Sequence, residues 1–281
     1  MEQRFNMRFE IKELGDSANV SSGEKDASKE LIKLLLLATV SILVLYFSVS
    51  FTSEYIIRNI TIEQENRWFK NFDLSLIDME MSDSDSEQLK QVELILTQLS
   101  KHPSVPKLEY RIFVIEDEDI NAFAFPGGNI GVTSSLLSSL KIKTKSGNEE
   151  KDNLALAFVI AHELGHFKYR HHLKGLSRTI SIGLAFALLT GNSGDLSLIN
   201  NVLTLLEFNH SQKQETESDL FAVELVFDTY GSTKNIEKLF VVLKEKNKDK
   251  ESFSFLNTHP SSESRIKNLQ NYSLTLSSSD Q

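Results

Sequence analysis

The chain has 281 residues, 40% hydrophobic and 25% charged, an ordinary balance for a folded protein of one or two domains. Its formal net charge of -9 leaves no basic surplus to neutralise phosphates, so a nucleic-acid partner is excluded. The absence of cysteine rules out disulfides, thiolate zinc sites, a cysteine nucleophile and a lipidated cysteine anchor.

Residues 1–33 are polar, of mixed charge, and read as a disordered tail. "LLLLATVSILVLYFSVSFT", residues 34–52, follows without a single charge and is bounded by Lys33 and Glu54. At about 1.5 Å per helical residue it spans roughly 28 Å, which matches the hydrocarbon core of a bilayer. A signal peptide is the rival reading, but the leader before the apolar run is long and "SVS" is a poor cleavage site. An uncleaved single-pass anchor in contact with lipid is the expectation. Lys25, Lys29 and Lys33 precede it, whereas Arg58 and Arg67 follow, so a cytoplasmic N-terminus and an extracytoplasmic globular part are expected by a margin of one lysine.

Residues 53–85 are acidic and read as a spacer. Leu89, Val92, Leu96 and Leu99 then recur at helical spacing. "YRIFVIED" has strand composition, and "NAFAFPGGNIGVT" reads as two strands joined through Pro126-Gly127-Gly128. A polar loop over 141–153 leads into "DNLALAFVIAHELGHFKYRHH", a helix with a long apolar approach. The apolar stretch 179–190 is too short to cross a bilayer and reads as core or as an interfacial helix. Beyond it the chain is mostly helical, and 271–281 reads as a polar tail. A small antiparallel sheet with helices makes an α+β domain over 86–270.

The chemistry centres on "HELGH". His162 and His166 are four residues apart and share one helix face, so both imidazoles can reach one metal ion. Glu163 points to the side where a metal-bound water would stand, as the general base of a zinc peptidase does. Five residues alone do not make a metal site. However, two histidines and a glutamate ending a helix that is apolar on nearly all sides need partners or a metal.

A catalytic zinc takes a third protein ligand. In "HSQKQETESDLFAVELV" the helix face through Glu215 carries Ser218, Asp219, Ala222 and Val226, small enough for close helix approach, whereas the face through Glu217, Glu224 and Asp228 looks solvated. Glu215 is therefore the better third ligand, with Asp219 placed to accept a hydrogen bond from a ligand imidazole. The competing reading is an acidic surface helix. His171 and His172 turn away from the metal face and read as structural or surface residues, as do His102 and His210.

Four ordered segments now resemble one family, the HtpX and CAAX-prenyl-protease zinc metallopeptidases, which include the OMA-type proteases. "LAFVIAHELGH" with Arg170-His171 resembles the first metal segment, "ETESD" the third-ligand segment, "NAFAFPGG" the strand and turn before the zinc helix, and "THPSSESRI" the C-terminal signature. Gln212 and Ser218 depart from the family's usual arginine and alanine. The resemblance implies a mostly helical, zincin-type (gluzincin) domain behind a single anchor. It also implies one zinc on His162, His166 and Glu215, with Asp219 in support, and protein or peptide substrates. In that frame His259 is a candidate oxyanion donor or reversible fourth ligand, beside a plain reading as a turn residue, and Arg265 ties its loop to a carboxylate. Asn121, Ala122, Phe123 and Ala124 are a candidate edge strand for an extended substrate. The expected function is a membrane-anchored zinc endopeptidase in protein quality control. The alternative is a metal-stabilised, chaperone-like binding module.

Overall fold

The computed structural model describes residues 24–69, 87–140, 154–175, 177, 210–236, 239–240, 259 and 263–279. The expectations for residues 1–23, 70–86, 141–153 and 179–190 lie outside the described residues. Two compact units divide the chain, Met1–Ser48 and Val49–Gln281.

The apolar run 34–52 lies inside a 36-residue helix, α1 (Glu24–Asn59). The span Ser28–Ile56 is long and apolar enough to cross a membrane. Leu34, Leu35, Leu36 and Leu37 are each more than half exposed on consecutive positions, so apolar side chains cover every side of the helix there. A helix apolar on every side lacks the single stripe of an ordinary surface helix.

The stretch read as a spacer contains a second helix, α2 (Ile62–Phe69). Thr61 caps it: its hydroxyl accepts from the Gln64 amide at 3.2 Å, while Gln64 Oε1 accepts from the Thr61 amide at 2.8 Å. Glu65 is buried, which the acidic composition concealed.

α3 (Glu87–Ser100) buries Val92, Ile95, Leu96 and Leu99. The sheet order is β1-β3-β2, with β1 Arg111–Ile115, β2 Ala122–Phe125 and β3 Asn129–Thr133. The β2–β3 hairpin is antiparallel as expected, but β1 pairs parallel with β3, so the sheet is mixed and not wholly antiparallel. The reason is topological. A tight turn at Gly127 (φ 79°) and Gly128 (φ 81°) reverses the chain, and the returning strand inserts beside β1, running the same way. As the central strand, β3 is buried at all five positions. α4 (Ser134–Ser139) follows directly, capped by Thr133.

α5 (Leu154–Lys168) carries the HExxH motif, and every residue from Leu154 to Phe167 is buried. It packs along α6 (Gln212–Tyr230), against α3 and against β2. α7 (Glu263–Ser279) runs through the segment expected to be a polar tail. Leu269 is buried, and Ile266, Tyr272 and Leu276 pack against the core at helical spacing, which continues the helix past its serines.

Candidate active site

α6 starts and stops by rule. Ser211 caps it with a full capping box to Gln214, and Gly231 ends it in the left-handed conformation. That start sets the phase of the helix and turns Glu215, Ser218, Asp219, Ala222 and Val226 inward, all of them buried. Glu217 is only partly buried and Glu224 is exposed, so the two faces divide as the side-chain sizes implied.

Contact between α5 and α6 is closest at Gly165. A Cβ added there would lie 2.9 Å from Ser218 Cα and 3.1 Å from its Cβ. This approach sets Glu215 against the two histidines. The Nε2 atoms of His162 and His166 are 3.0 Å apart, and each lies 3.5 Å from an oxygen of Glu215. His259 joins the same cluster: its Nδ1 is 3.3 Å from His162 Nε2 and 3.2 Å from Glu215 Oε1. Nitrogens and carboxylate oxygens of these four buried side chains thus lie 3.0–3.5 Å from one another in the pairs described, close enough to share one metal ion.

Outer contacts hold these donors in place. Asp219 Oδ1 faces His162 Nδ1 at 3.0 Å, which favours the proton there and leaves the Nε2 lone pair for a metal. His166 Nδ1 shares a hydrogen bond of 3.0 Å with His171 Nδ1, and His171 Nε2 lies 3.4 Å from Glu217. Arg265 donates through Nε to Asp219 Oδ2 at 2.7 Å, through Nη2 to Oδ1 at 2.9 Å, and its Nη1 lies 2.9 Å from Glu215 Oε2.

Burial and neighbouring charges pull the ionisable groups of the cluster in opposite directions. Burial works against a charged His162, but Asp219 and Glu215 outweigh it and lift its pKa to about 10. Burial would likewise raise Glu215, yet His259 and His162 hold it well below the usual carboxylate range. Burial, with repulsion from the neighbouring imidazoles, pushes His166 well below 6.5. Glu163 is raised by burial, with His259 and His162 pulling it back in part. Both its oxygens are buried without a hydrogen-bond partner, and the nearer one is 3.7 Å from His259 Nε2. An N₂O donor set with an anionic floor and an adjacent unbonded carboxylate fits zinc.

Three further histidines pack around the cluster. His210, set aside as a lone residue, is buried and stacks on His166 with ring centroids 3.9 Å apart. Burial, followed by repulsion from His259, drops its pKa to about 2. The available signal was its place immediately before the cap of the helix that carries Glu215. His171 and His172 do leave the metal face but are fully buried, not surface: one backs His166, and the other pairs with Glu65 at 2.7 Å. Within the candidate edge strand, Asn121, Ala122 and Ala124 are buried while Phe123 is partly exposed. Ala122 O lies 3.4 Å from His259 Nε2, so β2 borders the cluster.

Among known proteins, the chain is similar to the mitochondrial metalloendopeptidase OMA1 of Schizosaccharomyces pombe, 29% identical over 189 residues, 64% of this chain and 52% of that protein. OMA1 of Saccharomyces cerevisiae is 30% identical over 61% of this chain and 51% of its own length. The beta-barrel assembly-enhancing protease of Escherichia coli is 26% identical over 62% and 36%. The chain thus spans about half the length of the OMA1 relatives and about a third of the bacterial one. Residues 86–273 match the model of Peptidase family M48, and these residues hold every member of the metal cluster; the chain belongs to that family.

Proposed function

We propose that the protein is a membrane-anchored, zinc-dependent endopeptidase acting on protein substrates in quality control, with an N-terminus in the cytoplasm and the peptidase outside it. The observation that carries this reading is the convergence of His162, His166 and Glu215, within 3.5 Å of one another, beside the buried, unbonded carboxylate of Glu163.

Zinc on His162, His166 and Glu215 would supply a Lewis acid and bring a water to a pKa of about 7. Glu163 takes a proton from the attacking water and delivers it to the leaving nitrogen, a role that its buried setting suits. Asp219 orients His162 and Arg265 orients Asp219. β2 bonds to β3 on one side only among the described residues, so an extended substrate can add as a strand along Asn121, Ala122, Phe123 and Ala124. Pairing of this kind reads backbone shape more than sequence, which suits a protease of misfolded chains. His259 Nδ1 lies beside His162 and Glu215, where it would serve as a reversible fourth ligand or as an oxyanion donor.

Glu163→Gln tests the reading. Peptidase activity falls by about 10²–10⁴-fold while bound zinc and melting temperature stay at parental values. Cleavage by the variant at the parental rate would overturn the catalytic assignment and favour a metal-stabilised binding module.

A further inference from the structure

The family match begins at residue 86, yet a contact from outside that region reaches the metal helix. Glu65 on α2 is 2% exposed, and its Oε1 lies 2.7 Å from Nε2 of the fully buried His172. The other nitrogen of His172, Nδ1, lies 3.3 Å from the main-chain oxygen of His166. A three-part chain thus runs from α2 through one imidazole to the backbone of a metal-site residue.

Two further contacts fix the same helix end. Arg170 leaves α5 with a φ of 57°, a conformation that only tertiary contacts sustain in a residue with a long side chain, and its guanidinium donates to the carbonyl of Ile60. Ile60 and Leu173 are buried together, with Phe69 packed on them. α2 also reaches the turn that follows β2: a Cβ on Gly127 would lie 2.6 Å from Phe69 Cβ, so the end of α2 abuts the β2–β3 turn. Residues 60–69 therefore hold the exit of the metal helix and the turn beside the edge strand at once.

We propose that Glu65 is a positioning residue of the metal centre, acting through His172, and that residues 60–69 are an integral part of the peptidase. An acidic side chain on a solvated spacer would not be buried against an imidazole, and a helix that merely linked two domains would not contact both the exit of the metal helix and the β2–β3 turn. The inference rests on the reading of His166 as a metal ligand, since His172 acts on its backbone. Groups that orient metal ligands typically change metal affinity about 10–100-fold when removed.

The test uses the full chain in detergent, with zinc affinity measured by chelator competition and the visible spectrum of the cobalt-substituted protein as a report on ligand geometry. Glu65→Gln and His172→Gln should each loosen zinc by at least about tenfold and alter the cobalt spectrum, and the double variant should lose no more than the larger single loss. In case the single variants fail to fold, Glu65→Leu with His172→Leu replaces the pair by apolar groups. That variant should fold but bind zinc at least about tenfold more weakly. Parental affinity in Glu65→Gln or in the double leucine variant, or losses that multiply in the double glutamine variant, would overturn the inference alone. A parent that binds no zinc would overturn the metal reading and this inference with it.

Discussion

Arg265 grips Asp219 through two parallel contacts, Nε to Oδ2 at 2.7 Å and Nη2 to Oδ1 at 2.9 Å, with all four atoms buried. The third guanidinium nitrogen reaches Glu215 at 2.9 Å. One side chain from α7 therefore pairs with both carboxylates of α6 that flank His162. Lysine has a single charged centre and cannot reproduce this fork. Arg265→Lys should lower zinc affinity about 10–100-fold, read by chelator competition. Arg265→Ala removes a buried cationic partner of both carboxylates and should cost about 3–5 kcal/mol of stability, read as a lower denaturation midpoint. A variant as stable as the parent would mean the pairing is not maintained in solution.

Metal content separates a shared site from a chance motif. The purified protein should carry about one zinc per chain, and His162→Ala and Glu215→Ala should each lose or loosen it. The two residues are far apart in sequence and 3.5 Å apart in space, so a common effect on one ion reports that contact. Zinc retained fully in Glu215→Ala would remove Glu215 from the ligand set.

Gly165→Ala sets two effects against each other. In an exposed helix the change would gain about 1 kcal/mol of helix propensity. Here the new methyl would stand 2.9 Å from the Cα of Ser218, a backbone atom that cannot swing aside. Overpacking of this kind costs about 1–3 kcal/mol, so the clash wins and the melting temperature falls. Zinc binding should weaken as well, because α5 and α6 separate where they carry their ligands. A rise in melting temperature would show that the helices are not so close.

His259→Ala addresses the fourth corner of the cluster. Its Nδ1 lies within 3.3 Å of donors on both His162 and Glu215, where water must enter for catalysis. The variant should keep its zinc, exchange it faster and cleave an unstructured protein faster than the parent. Slower cleavage with zinc intact would instead give His259 the oxyanion role.

Some of this architecture is written in local pattern. Helical spacing in α3, the turn glycines of the hairpin, the apolar run into His162 and the side-chain sizes on the two faces of α6 are each decided by residues a few positions apart. The parallel pairing of β1 with β3 was not legible, because it depends on where a hairpin inserts, not on what any strand contains. The serines after 271 suggested a tail, while Tyr272 and Leu276 continue α7 against a core they cannot announce in advance.

What the sequence by itself determined is the chemistry on offer: a cysteine-free chain with one bilayer-length apolar helix, an HExxH helix, and a second helix presenting Glu215 and Asp219 on its small-residue side. What only the tertiary structure decided is which distant groups complete the site. His210 stacked on His166, His259 at the fourth corner, Arg265 across Asp219 and Glu65 behind His172 all join residues from different elements. Their pairings follow from close packing at Gly165 and from the need to satisfy buried charge, and both arise only when the chain has folded.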